Sequence, residues 1–272
     1  EDEVSAIVRV GAGEDWDYTV AEIVAMELWG MEALSGIPGK TGAAPYQNIG
    51  AYGQEIKDTI DHIEAYDTKA KKIIDLSRND CKFGYRDSIF KSTEKGRYII
   101  TNVYFKLSKK PLGMPNYKDV AEYFNKRSIT EPSLIQIREA ILEIRKTKFV
   151  DPTVMPNSGS FFKNPVVSAF QAEKIMKMFP EIKPYPQDNK IFPIEDNCYK
   201  IAAGWLLDEL GYKGKDFGNI RIDPNHALVI ENKHGASQKD LVKVIDQIKK
   251  DVKLKFGIEL EAEPVIVKFS DL

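Results

Sequence analysis

Apolar residues recur along this chain with two different spacings, which predict both strands and helices. Short runs of β-branched and aromatic residues predict strands. These runs lie at residues 4–10, 60–66, 73–76, 97–107, 227–231 and 264–269. Apolar residues three and four positions apart predict helices. These segments lie at residues 19–28, 134–144, 167–178, 197–210 and 238–256. Both halves contain helices and strands without an internal repeat, so the pattern predicts an α+β fold.

Local polar residues indicate where two of these helices begin. Thr19 with Glu22, and Ser133 with Gln136, have the spacing of a capping box, in which the first side chain caps the helix and the second bonds back. Gly30 follows the first apolar stripe and is a typical helix stop.

One change in composition predicts a domain boundary. Helical periodicity gives way near residues 150–152 to a stretch rich in Pro, Asn, Ser and Gly. We therefore expect two domains, residues 1–150 and 151–272.

Composition and charge exclude several classes of function. The 272 residues carry a formal net charge of −2, so there is no general basic field for nucleic acid or an anionic membrane. No apolar run approaches the roughly 20 residues that span a bilayer. The two cysteines, Cys81 and Cys198, and the three scattered histidines have no disulfide or metal-site spacing. We expect a cytoplasmic protein without a metal site.

The segment 159–165, Gly-Ser-Phe-Phe-Lys-Asn-Pro, concentrates polar chemistry beside two aromatic rings. Gly159 gives the backbone freedom to turn and to present the hydroxyl of Ser160. An ordinary tight turn explains the same residues, since turn residues are far commoner than catalytic ones.

A second concentration of glycine lies at residues 36–53, Gly-Ile-Pro-Gly-Lys-Thr-Gly-Ala-Ala-Pro-Tyr-Gln-Asn-Ile-Gly-Ala-Tyr-Gly. Two nucleotide motifs fail nearby: Trp16 replaces the third glycine of a dinucleotide fingerprint, and Leu34 replaces the first glycine of a P-loop. Small residues nevertheless let a ligand approach the backbone, and exposed N–H groups can cradle a pyrophosphate. A purely structural glycine loop is the alternative.

This loop resembles the second FAD-binding lobe of the vanillyl-oxidase-type flavoproteins, through its Ile-Pro-Gly, Gly-Ala and Asn-Ile-Gly-Ala-Tyr-Gly strings. The resemblance implies that FAD binds non-covalently along the loop. The residues that it assigns to the cofactor are Ile37, Pro38, Gly39, Gly42, Ala43, Asn48, Gly50, Ala51, Tyr52 and Gly53.

Three further strings narrow the resemblance. They are residues 81–91 (Cys-Lys-Phe-Gly-Tyr-Arg-Asp-Ser-Ile-Phe-Lys), residues 159–165, and Ala-Ala-Gly-Trp-Leu-Leu at 202–207 with Ala-Leu-Val at 227–229. In this order they are similar to the UDP-N-acetylenolpyruvoylglucosamine reductases, in the subtype with a Tyr-bearing loop. The family implies an FAD enzyme that uses NADPH to reduce an enolpyruvyl ether in peptidoglycan precursor synthesis. It also implies a nucleotide-sugar substrate, and we expect a monomer.

The resemblance assigns three catalytic residues. Arg86 matches the family arginine that holds the substrate carboxylate, a task suited to a guanidinium fork. A surface ion pair with Asp87 is the alternative for this residue. Glu263 matches a family carboxyl at the same site, and Ser160 matches the proton donor to C2. Alternation along the predicted last strand places Glu261 and Glu263 on one face.

Further residues match positions that contact the substrate. They are Tyr85, Tyr117, Lys148, Asn164 and His226. Taken without the resemblance, Lys148 is typical of a solvated basic helix end and Tyr85 of core packing.

The chain departs from the family pattern in three places. Pro156-Asn157-Ser158 precedes Gly159 where Gly-Asn-Ala is usual, and Ser158 adds a second hydroxyl. His226 replaces a common glutamine and introduces a group that titrates near neutrality. The resemblance implies that residues 1–150 are the second lobe of an FAD-binding domain and that residues 151–272 are a substrate-binding domain. The family's first FAD lobe, with its Gly-Ser-Asn loop, does not precede Val4. Either the sequence is a fragment or, if it is complete as written, we expect weak FAD binding or none.

Two other readings stay open at this point. An FAD oxidase that passes electrons to O₂ shares the cofactor loop, but an alcohol oxidase needs a base rather than an acid at Ser160. A non-catalytic nucleotide-sugar-binding remnant is the other reading, and the absence of the first lobe favours it.

Overall fold

The computed structural model describes residues 3–185, 190–194 and 197–267. The chain divides into two compact units, Glu1–Thr147 and Lys148–Leu272, close to the boundary expected near residue 150. Among the described residues, no helix is both long and apolar enough to cross a membrane. Nor do three His, Cys, Asp or Glu side chains of these residues group as they would around a metal ion.

Unit 1 is built on an antiparallel four-stranded sheet with order β1-β6-β4-β5. Its strands and helices are β1 (Ser5–Gly11), α1 (Trp16–Ala25), β2 (Gly50–Ala51), β3 (Gln54–Glu55), β4 (Ile60–Asp67), β5 (Lys72–Ser77), β6 (Tyr98–Ser108), α2 (Lys118–Asn125) and α3 (Leu134–Lys148). Single 3₁₀ turns lie at Glu32–Leu34, Thr41–Ala43, Pro45–Gln47 and Ile56–Asp58.

The core of unit 1 follows from alternation on its longest strand, β6. Val103, Phe105 and Leu107 are 0–1% exposed and point to one face of the sheet. Trp16, at the start of α1, packs edge-on against Phe105 and donates its indole N–H to the Leu34 carbonyl at 2.9 Å. This bond joins α1 to the chain that leads into the glycine loop.

The first helix begins and ends earlier than its pattern predicts. Asp15 is the N-cap, and its carboxylate accepts hydrogen bonds from the amides of Asp17 and Tyr18. Thr19 lies inside the helix, where its hydroxyl bonds to the Asp15 carbonyl. The expected capping box at Thr19 is therefore wrong, because a better cap stands one turn earlier.

The capping box of α3 is confirmed. Ser133 accepts a hydrogen bond from the Gln136 amide, and the Gln136 side chain accepts one from the Ser133 amide. The buried stripe along α3 begins at Leu134 and continues through Ile137 and Ile141.

Unit 2 contains two three-stranded antiparallel sheets, with orders β8-β10-β9 and β11-β12-β7. Its elements are β7 (Asn157–Ser160), β8 (Val166–Ser168), α4 (Ala169–Met178), β9 (Ile191–Ile194), β10 (Cys198–Ile201), α5 (Ala203–Asp208), β11 (Ile220–Ile222), β12 (Val229–Asn232) and α6 (Gln238–Phe256). α6 has the bounds expected from its apolar stripe and ends at Gly257 with φ 69°, a left-handed C-cap.

Two expected elements of unit 2 are wrong in type. Residues 197–210 do not form one helix, because Cys198–Ile201 pairs with strands on both sides and only Ala203–Asp208 is helical. Residues 264–267 are not a strand, and residues 268–269 lie outside the described residues. At residues 198–201, strand partners decide the backbone conformation rather than local propensity.

Candidate active site

The glycine loop of unit 1 is organised around one buried asparagine. Asn48 is 0% exposed and has left-handed backbone geometry, with φ 48°. Its NH₂ group donates to Glu55 Oε2 at 3.0 Å and to the Gly84 carbonyl at 2.8 Å, and its oxygen accepts from the Lys57 amide at 3.1 Å. The polar atoms of this side chain are thus occupied within the protein, so Asn48 shapes the loop rather than reaching a heterocycle.

We expect Asn48→Ala to destabilise unit 1 by about 3 kcal/mol, because it strands buried hydrogen-bonding groups. Alanine also tolerates the left-handed backbone less well than asparagine. Urea unfolding measures the loss, and the matched control is Asn79→Ala at an exposed turn position. Equal stability of the two variants would show that the Asn48 contacts do not hold the loop.

The backbone of the loop is only partly available to a ligand. The amides of Thr41 and Gly42 donate to Glu14 and Ala12, and those of Ala43 and Ala44 donate within the loop. The expected N–H cradle for a pyrophosphate is therefore wrong for these four residues, because their donors are already used.

The exposed side of the loop leaves part of its backbone accessible. Pro38, Gly39, Ala43 and Gly53 are exposed and small. An added Cβ at Gly39 would meet no atom within 4 Å. The backbone and small side chains at these positions leave room for a ligand to approach closely.

Arg86 is tied to this loop. It lies in the turn closed by the Gly84–Asp87 bridge, with φ 54°, and its Nη2 donates to the Gly50 carbonyl at 2.6 Å. An added Cβ at Gly50 would lie 2.9 Å from the Gln54 carbonyl oxygen and 2.9 Å from Arg86 Nη1, so a larger residue here would disturb the backbone of the loop and the position of the guanidinium. The Arg86 guanidinium also lies 5.5 Å from the centroid of the Tyr85 ring.

Tyr117 packs on the same loop through Tyr52. The two rings meet edge to face, with centroids 5.3 Å apart, and Tyr117 is 39% exposed. Tyr52 is buried beside Arg145, and this burial raises its pKa to about 12. Arg145 Nε donates to the Gly36 carbonyl at 3.0 Å, so one arginine of α3 braces both ends of the glycine loop.

In unit 2, Ser160 is the last residue of β7, an edge strand paired with β12 opposite Val229. Gly159 has φ 66°, the left-handed geometry expected of a glycine that turns the chain. The Asn157 side chain holds this turn, since its oxygen accepts from the Gly159 amide and its NH₂ group donates to the Met155 carbonyl.

The segment of Glu263 runs antiparallel to the residues that follow Ser160. The Glu263 amide donates to the Phe161 carbonyl at 2.8 Å, and the Lys163 amide donates to the Glu261 carbonyl at 3.0 Å. Ala262 forms the isolated bridge with Phe162. The expected regular strand at Glu261 and Glu263 is therefore wrong, but the pairing places Glu263 beside the Ser160 segment.

His226 lies in the turn between β11 and β12. Its Nδ1 accepts from the Leu228 amide at 3.3 Å, and its ring lies 5.1 Å from that of Phe149. Burial, reinforced by the positive charge of Lys148, lowers the pKa of His226. This imidazole is therefore neutral at neutral pH, and Lys148 lies close enough to affect it.

Asn164 caps a helix. Its side-chain oxygen accepts from the Ala203 amide at 2.9 Å, at the start of α5. The Asn164 NH₂ group is the donor that this side chain can offer to a ligand.

Within each unit, the structure groups the residues selected from the sequence. Unit 1 holds Tyr85, Arg86 and Tyr117 around the glycine loop, and unit 2 holds Ser160 and Glu263 on adjacent segments near His226. Sequence reasoning missed the bracing role of Arg145. The sequence feature that could have indicated this role is the position of Arg145 directly after Ile144, at the end of the buried stripe of α3.

Comparison with known proteins extends over nearly the whole chain. The family model for the C-terminal domain of UDP-N-acetylenolpyruvoylglucosamine reductase matches residues 151–267, and an FAD-binding domain model matches residues 1–76. UDP-N-acetylenolpyruvoylglucosamine reductases of Dechloromonas aromatica and Ralstonia nicotianae are 39% and 40% identical to this chain. These alignments cover 98% and 96% of the chain, and 78% and 74% of the relatives.

A solved structure is also similar. The crystal structure of UDP-N-acetylenolpyruvylglucosamine reductase from Thermus caldophilus superposes with a TM-score of 0.62 at 23% identity, covering 94% of this chain and 71% of that one. At this identity the likeness supports the α+β fold.

Proposed function

The chain belongs to the UDP-N-acetylenolpyruvoylglucosamine reductase family, and from this premise we propose that it reduces UDP-N-acetylglucosamine enolpyruvate to UDP-N-acetylmuramate with NADPH. The family's members are FAD-containing oxidoreductases, and the FAD-binding model covers the start of unit 1. The observation that carries the proposal is the turn at Gly159. Ser160 follows this turn as the last residue of β7 and lies beside the segment of Glu263.

FAD, when bound, would supply the hydride-transfer chemistry between NADPH and C3 of the enol ether. The residues for holding it are those of the glycine loop, Ile37, Pro38, Gly39, Gly42, Ala43, Asn48, Gly50, Ala51, Tyr52 and Gly53. Among these, Asn48 and Tyr52 act on the shape of the loop, through their bonds to the Gly84 carbonyl and to Arg145.

Ser160 Oγ donates the proton that completes the reduction at C2. Negative charge develops at C2 and spreads onto the adjacent carboxylate, so the site needs both an acid and a cation. A serine hydroxyl is a weak acid, but a carbanionic carbon is a strong base, which makes the transfer feasible. Glu263, whose backbone pairs with Phe161, orients the reacting group or a water beside Ser160.

Arg86 binds the substrate carboxylate with its guanidinium fork and stabilises charge there as it develops. Its bond to the Gly50 carbonyl fixes the guanidinium against the cofactor loop. Lys148 and the Asn164 NH₂ group bind the diphosphate and nucleotide portion, and the family resemblance assigns Tyr117 to the same portion of the substrate. Tyr85 packs beside Arg86 on the substrate side.

One assay tests this proposal. Purified protein with added FAD is mixed with NADPH and UDP-N-acetylglucosamine enolpyruvate, and NADPH absorbance is followed. NADPH oxidation that requires the enolpyruvate supports the reductase. Loss of NADPH to O₂ alone would identify an oxidase, and no oxidation would contradict catalysis. The flavin absorbance of the protein as purified tests how tightly it holds FAD.

His226→Gln should leave activity at neutral pH roughly unchanged, because the wild-type imidazole is neutral there and an amide replaces its hydrogen bonds. Because the pKa of His226 is lowered, the folded chain resists protonation of this imidazole. Its contribution to stability is therefore fully present above the ordinary histidine pKa of 6.5 and is lost as the pH falls through the lowered pKa. The variant lacks this loss. Melting temperatures from pH 7 to about 5 measure it.

The matched control is His234→Gln, which removes an exposed imidazole. We expect this control to keep the wild-type dependence of melting temperature on pH. If His226→Gln and the wild type lost the same amount of melting temperature at acid pH, the lowered pKa of His226 would not be the cause of the loss.

A further inference from the structure

Two carboxyl side chains are buried together in the sheet that carries Ser160. Asp223 directly follows β11 and Glu231 lies in β12, and each residue is 1% exposed. One oxygen of each is well bonded. Asp223 Oδ1 accepts from the Asn225 and His226 amides at 2.6 and 2.7 Å, and Glu231 Oε2 accepts from Arg221 Nε at 2.7 Å.

The second oxygen of each carboxyl has no donor among the described residues. These atoms are Asp223 Oδ2 and Glu231 Oε1. Arg221 lies opposite Glu231 in the pairing of β11 with β12, and the Asp223 amide donates to the Val229 carbonyl, so Asp223 and Glu231 are diagonal neighbours on one face of the sheet. Two ionised carboxylates would place acceptor against acceptor at side chains that are almost fully buried, which is costly for each unpaired atom.

The surrounding charges compensate only part of this pair. Arg221, on β11, pairs with Glu231. Lys233, after β12, pairs with Asp216, whose backbone bridges to Arg221. His226, in the turn, is neutral at neutral pH, and β7 presents the uncharged Asn157 opposite Glu231. One arginine therefore faces two carboxyl groups.

We propose that Asp223 and Glu231 share one proton, and that this pair is a positioning device that holds the turn from Asp223 to Leu228 against the Ser160 strand. An O–H···O bond between Oδ2 and Oε1 satisfies both orphan oxygens. The turn then contacts the site directly, because the Leu228 carbonyl accepts from the Phe161 amide and Val229 lies opposite Ser160.

Burial raises the pKa of Glu231 despite the opposing Arg221. The folded chain holds this proton to higher pH than the unfolded chain. Its stabilising contribution is therefore complete below the ordinary range of a glutamate and is lost as the pH rises through the raised pKa. Above that pH, the two carboxylates repel and the turn loosens.

The test is Glu231→Gln, whose NH₂ group can donate to Asp223 Oδ2 without a titrating proton while its oxygen still faces Arg221. We expect the ratio of the wild-type to the variant folding equilibrium constant, measured by urea unfolding, to fall as the pH rises from the ordinary glutamate pKa to the raised pKa of Glu231. The fall should reach up to about tenfold per pH unit. The variant should also lack the infrared carbonyl band of a buried protonated carboxyl, which the wild type shows. Glu173→Gln, at an exposed carboxyl of α4, is the charge-matched control and should leave both signals unchanged.

A second variant covers the case in which Glu231→Gln does not fold. Asp223→Asn keeps the acceptor for the Asn225 and His226 amides and supplies a donor to Glu231 Oε1. A pH-independent stability ratio, or no protonated-carboxyl band in the wild type, would overturn the shared proton.

The positioning role rests on the proposed function and has its own measurement. The pH profile of kcat/KM for the enolpyruvate should show an alkaline decline in the wild type that is missing in Glu231→Gln. Identical alkaline limbs would overturn the positioning role. Absence of reductase activity in the wild type would instead contradict the proposed function. The infrared and stability measurements would still show whether Asp223 and Glu231 share a proton.

Discussion

Ser160→Ala should slow reduction of the enolpyruvyl substrate roughly 10²–10⁴-fold, the range expected when a positioned proton donor is removed. The flavin should still be reduced by NADPH at the wild-type rate, because that half of the reaction needs no proton at C2. Stopped-flow absorbance separates the two steps: flavin reduction stays fast, and reoxidation by the enolpyruvate becomes slow.

Ser158→Ala is the matched control, because it removes an exposed hydroxyl on the same strand. The left-handed Gly159 and the register shift at this pairing interrupt the alternation between Ser158 and Ser160, so this control also tests whether Ser158 substitutes as the acid. Equal slowing of both half-reactions in Ser160→Ala would indicate a structural role for this serine. Slowing of reoxidation by Ser158→Ala alone would move the acid to Ser158.

Arg86→Lys should reduce kcat/KM for the enolpyruvate roughly 10²–10³-fold, comparable to removing one preorganised donor from an anion site. Lysine keeps the charge but cannot bind a carboxylate with two parallel N–H groups. It also loses the bond from Nη2 to the Gly50 carbonyl, so the cation is no longer fixed against the cofactor loop. Steady-state kinetics with NADPH saturating measures the loss.

Arg78→Lys is the control for this substitution. Arg78 is exposed and its guanidinium lies 3.7 Å from Asp58, so the exchange should change kcat/KM little. FAD affinity of both variants, by fluorescence titration, separates a defect in the loop from a defect in carboxylate binding. A wild-type kcat/KM in Arg86→Lys would remove Arg86 from the site.

Several elements were predictable because their signals are local. Ser133 and Gln136 form the capping box that their spacing indicates, and α6 has the bounds of its apolar stripe. Gly159 adopts the positive φ that its place before Ser160 suggested. In each case the residues that determine the conformation are near neighbours in sequence.

Other elements were not predictable from local pattern. Cys198–Ile201 has helical neighbours in sequence, but pairs with strands on both sides. The segment of Glu263 was expected to be a regular strand and is irregular apart from its contacts with residues 161–163. Backbone hydrogen bonds to distant residues override propensity at both places.

The sequence by itself determined the family and the α+β class, and it supplied the residues that we propose for the reaction, because motifs such as Gly-Ser-Phe-Phe-Lys-Asn-Pro carry that information in consecutive positions. Only the tertiary structure decided what those residues touch. Asn48 proved to be the internal support of the glycine loop, and pairing across the chain brought Glu263 beside the Ser160 segment. Asp223 and Glu231 are ordinary charges in the sequence, and they become a candidate proton-sharing pair only because the sheet buries both with a single arginine. Burial and long-range hydrogen bonding depend on distant residues, and no local spacing encodes them.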